Sequence, residues 1–131
     1  MSDPQTEFAR QWLKKAENDV ITARQTLALE DGPTDTPCFH AQQAVEKSLK
    51  ALLTANGIVF PYTHDVIALL DMSTVLLAEL ACFREACAEL SPYGVDVRYP
   101  GDFADPSRED AHSTLKVAEK IMSLVKNKVG E

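Results

Sequence analysis

The chain has 131 residues, a formal charge of −7 and an isoelectric point near 4.9. That length fits one domain spanning residues 1–131, able to bury a core without disulfides or metal, while the acidity repels a phosphate backbone and disfavours general nucleic-acid binding. Cys38, Cys82 and Cys87 are odd in number and show no CxxC spacing, which suits reduced thiols acting as filler.

The N-terminal MSDPQTEF is acidic and polar, unlike a signal peptide, and no apolar run approaches the length of a membrane span, so a cytoplasmic protein is expected. Asp3-Pro4 pairs a cap residue with a proline at the first helical position. From there Phe8, Trp12, Ala16, Val20, Ala23 and Leu27 recur at steps of three and four, predicting a first helix that runs toward Asp31-Gly32-Pro33. Thr36-Pro37 repeats the device and Asn56-Gly57 offers a left-handed stop, predicting a second helix over about Pro37–Asn56.

After Pro61, Thr63 is placed to cap a short helix and Asp65 to face its dipole. Leu76, Leu80, Phe83, Cys87 and Leu90 continue an apolar stripe through a fourth helix that stops before Ser91-Pro92. The glycines, prolines and aspartates of YGVDVRYPGDFADP read as a long functional loop. Asp105-Pro106 then starts a last helix, with Ala111, Leu115, Ala118, Met122, Val125 and Val129 in register. No segment reads as a strand, and the expected fold is all-α: an up-and-down four-helix bundle with an additional short helix.

The second helix, HAQQAVEKSLKALL, has three faces. Val45, Leu49, Leu52 and Leu53 form a large apolar stripe for the core. Ala41, Ala44, Ser48, Ala51 and Ala55 form a small-residue seam that lets another backbone approach. His40, Gln43, Lys47 and Lys50 make a donor-rich polar face, with Glu46 one turn before Lys50 in the favourable acid-first order. That face is read either as solvated helix surface or as a binding row.

AQQAVEKSLKALL, THDVIALL and RYPGDF, in that order and spread over nearly the whole chain, resemble the HEPN family, small helical domains often linked to minimal nucleotidyltransferases. The resemblance implies an antiparallel bundle, usually a homodimer, with a cleft at or near the dimer interface and no cofactor beyond a nucleotide ligand. Nuclease members carry an Arg followed after four to six residues by a His. Arg98 matches the Arg, but the next histidine after it is His112, beyond that spacing. The motif is broken, and Tyr99 cannot take the role of the tyrosine that in modified toxin members follows the missing His.

The expected function is therefore a HEPN-like module that binds a nucleotide or a nucleotidyltransferase-type partner, as one half of a toxin–antitoxin-like pair, with no independent catalysis. Its expected binding residues are His40, Gln43, Lys47, Lys50, His64, Arg98, Tyr99 and Asp102. Lysines would meet phosphates as point charges; Arg98, among Asp96, Tyr99 and Asp102, either grips a phosphate or pairs with those carboxylates to hold the loop. Two alternatives stand beside it. One is a metal-independent RNase using Arg98 with Tyr99, Asp102 or His64. The other is an HD-type metal phosphohydrolase using His64-Asp65 with His40 and Asp102 or Asp110.

Overall fold

A computed structural model describes residues 3–94, 100 and 105–130. Among them the α-helices are α1 Pro4–Leu27, α2 Asp35–Ala55, α3 Val66–Ser73, α4 Arg84–Leu90 and α5 Arg108–Val129, with short 3-10 helices at Ala78–Phe83 and Ser91–Gly94 and no strand. The all-α expectation is met, but only α1, α2 and α5 are long. The fourth side of the bundle, expected as one helix through Leu90, is assembled from α3, α4 and the two 3-10 turns.

Local chemistry sets the ends. Asp3 Oδ1 accepts from the Thr6 amide at 2.8 Å while Pro4 fills the first turn, where its missing N–H is not needed. α2 begins earlier than expected, at Asp35, so Pro37 lies within the first turn rather than opening it, and Thr34 and not Thr36 is the cap residue. It closes on Gly57 at φ 68°, with Gly57 N–H donating to the Thr54 carbonyl and Ile58 N–H to the Leu53 carbonyl, a paired left-handed stop. At α3 the expected roles are exchanged: Asp65 Oδ1 caps Ile67 and Ala68, and Thr63 Oγ1 accepts from the Asp65 amide. α5 is capped by Ser107 rather than Asp105, Ser107 Oγ accepting from Asp110 N–H at 3.0 Å.

α2 is the central element, packing on α1, α5, α3 and the Ser91–Gly94 turn, with its largest interface against α1. Ala9, Ala16 and Ala23 on α1 and Ala44 and Ala51 on α2 recur at seven-residue spacing and are fully buried. Asp19, flanked by Ala16 and Ala23, bonds to His40 and Lys47, which flank Ala44, with Ala51 one turn beyond Lys47. The small side chains thus lie at the α1–α2 contact and let the two helices approach closely. The seam predicted on α2 has its neighbour within the same chain.

α1 departs from its predicted stripe in its first two turns. Each step of four overshoots a helical turn, so the run Phe8, Trp12, Ala16, Val20 spirals around the helix. Ala9 and Leu13 occupy the core, while Phe8 is 53% exposed. The α5 stripe alternates threes and fours and is buried from Ala111 to Val125. α1 and α5 are tied by Lys126 Nζ donating to Glu17 at 2.9 Å and by the Arg24–Glu119 pair, and Arg108 donates to the Leu27 carbonyl at the end of α1. Lys126 holds the Glu17 carboxyl below its ordinary range. That increment to stability is present above the ordinary glutamate pKa and is lost as pH falls through the lowered folded-state value.

The thiols differ sharply. Cys38 and Cys87 are buried and Cys82 is exposed, and desolvation pushes the Cys87 thiol up to about 11. A disulfide reagent at pH 8 is expected to titrate Cys82 rapidly in the native protein, and Cys38 and Cys87 only after denaturation. Rapid reaction of all three would contradict this packing.

Candidate functional site

The polar face of α2 is not a solvated surface. Gln42, Glu46 and Lys50, one turn apart, are 0%, 3% and 6% exposed, so a charged ladder runs through the interior. Bare charges in such a place are costly and must be paired. Lys50 Nζ donates to Glu46 Oε2 at 3.0 Å, with the Trp12 and Phe60 ring centres 5.4 Å and 6.0 Å from the ammonium. The predicted Glu46–Lys50 pair therefore exists, but as a buried pair inside an aromatic and carboxylate cage.

Glu46 is shared. Its Oε2 also lies 3.0 Å from His64 Nδ1, and the buried Gln42 amide reaches its Oε1 at 3.5 Å. A carboxylate can only accept, so with Lys50 already neutralising Glu46, a neutral His64 places its proton on Nδ1 and leaves Nε2 as an acceptor. The His64 side chain is 63% exposed, so the imidazole is held from behind and open in front. The segment after α2 folds back along the helix to do this, Phe60 reaching Lys50 and His64 reaching Glu46.

His40 and Lys47 turn the other way. Both bind Asp19 of α1, His40 Nδ1 at 2.8 Å from Oδ1 and Lys47 Nζ at 2.6 Å from Oδ2. Gln43 Nε2 donates to Gln42 Oε1 at 2.8 Å. The expected row of His40, Gln43, Lys47 and Lys50 is thus divided between an α1-facing bridge and a buried ladder under the His64 loop, and each lysine is committed to a carboxylate. Asp65 is occupied as the α3 cap. Among the described residues no three His, Cys, Asp or Glu side chains gather as a metal would require, and His40 and His64 each serve a different carboxylate.

Arg98, Tyr99 and Asp102 lie outside the described residues. Gly94, the last described residue before them, abuts the ladder: a Cβ there would come within 2.6 Å of the buried Gln42 side chain. Gly94→Ala is expected to lower stability by about 1 kcal/mol, read as a fall in Tm, because the flexible end of the buried Gln42 side chain must shift to admit the methyl group. A variant as stable as the parent would mean that the turn relaxes away from α2. Asp19, Gln42 and the ring of Phe60 were not among the expected site residues. Asp19 did carry a signal, an acid set one residue before Val20 within an otherwise apolar stripe.

The HEPN domain model matches residues 9–128, almost the whole chain. The chain belongs to the HEPN family. It is 29% identical over 134 residues to a protein of Methanocaldococcus jannaschii described as "Putative toxin MJ1304", covering 92% of this chain and 87% of that one. It also superposes on the crystal structure of ST0689, an archaeal HEPN homologue, with a TM-score of 0.73 and 26% identity over 92% of this chain and 97% of the other. The HEPN fold accounts for the bundle; no helix among the described residues is long and apolar enough to cross a membrane.

Proposed function

We propose that this HEPN protein is one half of a two-component, toxin–antitoxin-like pair and docks a nucleotidyltransferase-type partner on residues 56–65 together with the Arg98 segment. The observation that carries this reading is the construction of the loop. Val59 and Tyr62 are 92% and 97% exposed, while Phe60 and His64 on the same loop are anchored to Lys50 and Glu46 of α2. Apolar and aromatic side chains presented outward from a fixed backing lose little entropy on binding, and tyrosine is a frequent anchor of such contacts. Similarity to a protein named as a toxin supports the two-component setting. In this reading the domain is cytoplasmic, pairs as a homodimer and has no catalytic activity of its own.

The test is co-expression of the tagged protein with the products of neighbouring reading frames, followed by pull-down. A nucleotidyltransferase-type protein should be retained, and Tyr62→Ala, His64→Ala and Arg98→Ala should each reduce its retention. Absence of such a protein, or equal retention by all variants, overturns the reading.

A second reading rests on the Glu46–His64 pair. A histidine held by a buried carboxylate with its outer nitrogen basic is suited to exchange a proton during phosphodiester cleavage, with Arg98 gripping the phosphate. It predicts cleavage of single-stranded RNA in the presence of a metal chelator, lost in both His64→Ala and Arg98→Ala.

A further inference from the structure

The connection from α2 to α3 is fastened at its ends and almost nowhere between. At one end Ile58 N–H donates to the Leu53 carbonyl at 3.0 Å, closing the left-handed stop of α2. At the other the Asp65 carboxylate caps Ile67 and Ala68. Among the described residues, 59–64 make no main-chain hydrogen bond to any other element. Two side chains hold this stretch down, and both rest on the buried ladder. The Phe60 ring centre is 6.0 Å from Lys50 Nζ, and His64 Nδ1 is 3.0 Å from Glu46 Oε2. Because the stop of α2 and the cap of α3 use neither contact, residues 59–64 can lift without unravelling either helix.

What lies beneath makes lifting cheap. A segment over a leucine core would expose apolar surface on opening, but this one covers the Glu46–Lys50 pair. Both charges lose hydration in the closed state and regain it when water enters, which offsets part of the lost pairing with His64. Val59 and Tyr62 already face solvent, so Phe60 is the one large apolar side chain newly exposed. Local opening is drawn from segments of this kind, with few buried apolar contacts and unbonded main chain, whereas α1, α2 and α5 open only with the core.

We propose that residues 59–64 form a strap that opens over Glu46 and Lys50 while the bundle stays folded, and that only the closed strap docks the partner. The inference rests on the partner reading above, since Val59 and Tyr62 keep a fixed position only while Phe60 and His64 are seated. A partner that binds the closed form alone shifts the population toward it. Its apparent affinity falls by the fraction of strap that is open. Loosening an inward-facing anchor therefore weakens docking without removing any side chain that the partner touches.

Lys50 gives the readout, because its ammonium is buried under a closed strap, and the exposed Lys15 is the internal standard. The full-length protein, alone, is pulsed with sulfo-NHS-acetate at pH 8 in urea concentrations below the unfolding transition, and both lysines are followed by peptide mass mapping. Lys50 should react more slowly than Lys15 and with little dependence on urea, since the opening exposes little surface. Phe60→Ala and His64→Ala should each raise the Lys50 rate about fivefold, as expected for one lost anchoring contact, with circular dichroism showing the helices intact. Val59→Ala, which removes no anchor, should leave that rate unchanged. A Lys50 rate that climbs with urea as steeply as global unfolding, or that stays the same in both anchor variants, overturns the strap. In the pull-down, Phe60→Ala should retain less partner than the parent; equal retention despite a raised Lys50 rate overturns the control of docking. A pull-down that captures no partner with any form overturns the docking reading itself, and the Lys50 rates, measured without a partner, still decide whether the strap opens.

Discussion

Glu46→Ala is expected to cost about 3 kcal/mol of folding stability. The loss is not that of one hydrogen bond. Removing the carboxylate strands the Lys50 ammonium, 6% exposed, with only the ring faces of Trp12 and Phe60 to offset its desolvation. It also frees the His64 ring and leaves the buried Gln42 amide one acceptor short. Replacing both charges tells the two contributions apart. Glu46→Ala combined with Lys50→Met should recover most of the loss, because an apolar pair needs no neutralisation, whereas Lys50→Met alone should leave the buried carboxylate dependent on His64. The measurement is the urea midpoint of the three variants at pH 7, with the slope checked for constancy. A cost below about 1 kcal/mol for Glu46→Ala would mean that Lys50 escapes to solvent and that the cage is not rigid. The same variant links stability to function. If the His64 loop needs its backing to bind a partner, Glu46→Gln, which keeps a hydrogen-bond acceptor for His64, should retain more partner than Glu46→Ala.

The difference between what was legible and what was not follows from the range of the interactions involved. The α5 stripe was readable because alternating steps of three and four stay on one face, and a continuous face must be buried. The start of α1 departs from its stripe because successive steps of four leave that face, and nothing local says at which residue the core ends. Caps were right in kind and displaced by one or two residues, since Thr63 and Asp65, or Asp105 and Ser107, offer equivalent oxygens and the packing of the helix decides between them. The site shows the limit most clearly. A helical wheel places Glu46 and Lys50 together but cannot reveal that residues 60–64 fold back over them, or that Gly94 packs on Gln42, because both covers come from elsewhere in the chain. A buried ladder and a solvated one have the same local spelling. Asp19 is the exception, an acid within an apolar stripe that implied a buried partner without naming it.

The alanine seam carries the last consequence. Ala44→Leu is expected to destabilise the protein by about 2–3 kcal/mol, by overpacking. Ala44 is fully buried, one turn from both His40 and Lys47, at the face that α1 covers with Ala16 and Ala23. Two close-packed helices have no space for three more carbons, so α1 must move outward. Any outward shift also stretches the bonds from Lys47 and His40 to Asp19, now 2.6 Å and 2.8 Å, leaving a buried carboxylate with weakened partners. Overpacking and electrostatic loss are therefore coupled, and Asp19→Asn should be less costly in the Ala44→Leu background than in the parent. Ala55→Leu, at the half-buried end of the same seam, is the control and should cost under about 1 kcal/mol. Thermal unfolding of the four variants measures both the size and the coupling. Equal costs at positions 44 and 55, or strict additivity with Asp19→Asn, would show that α1 and α2 are held apart by the large side chains around the seam, and that the alanines merely fill a gap already open.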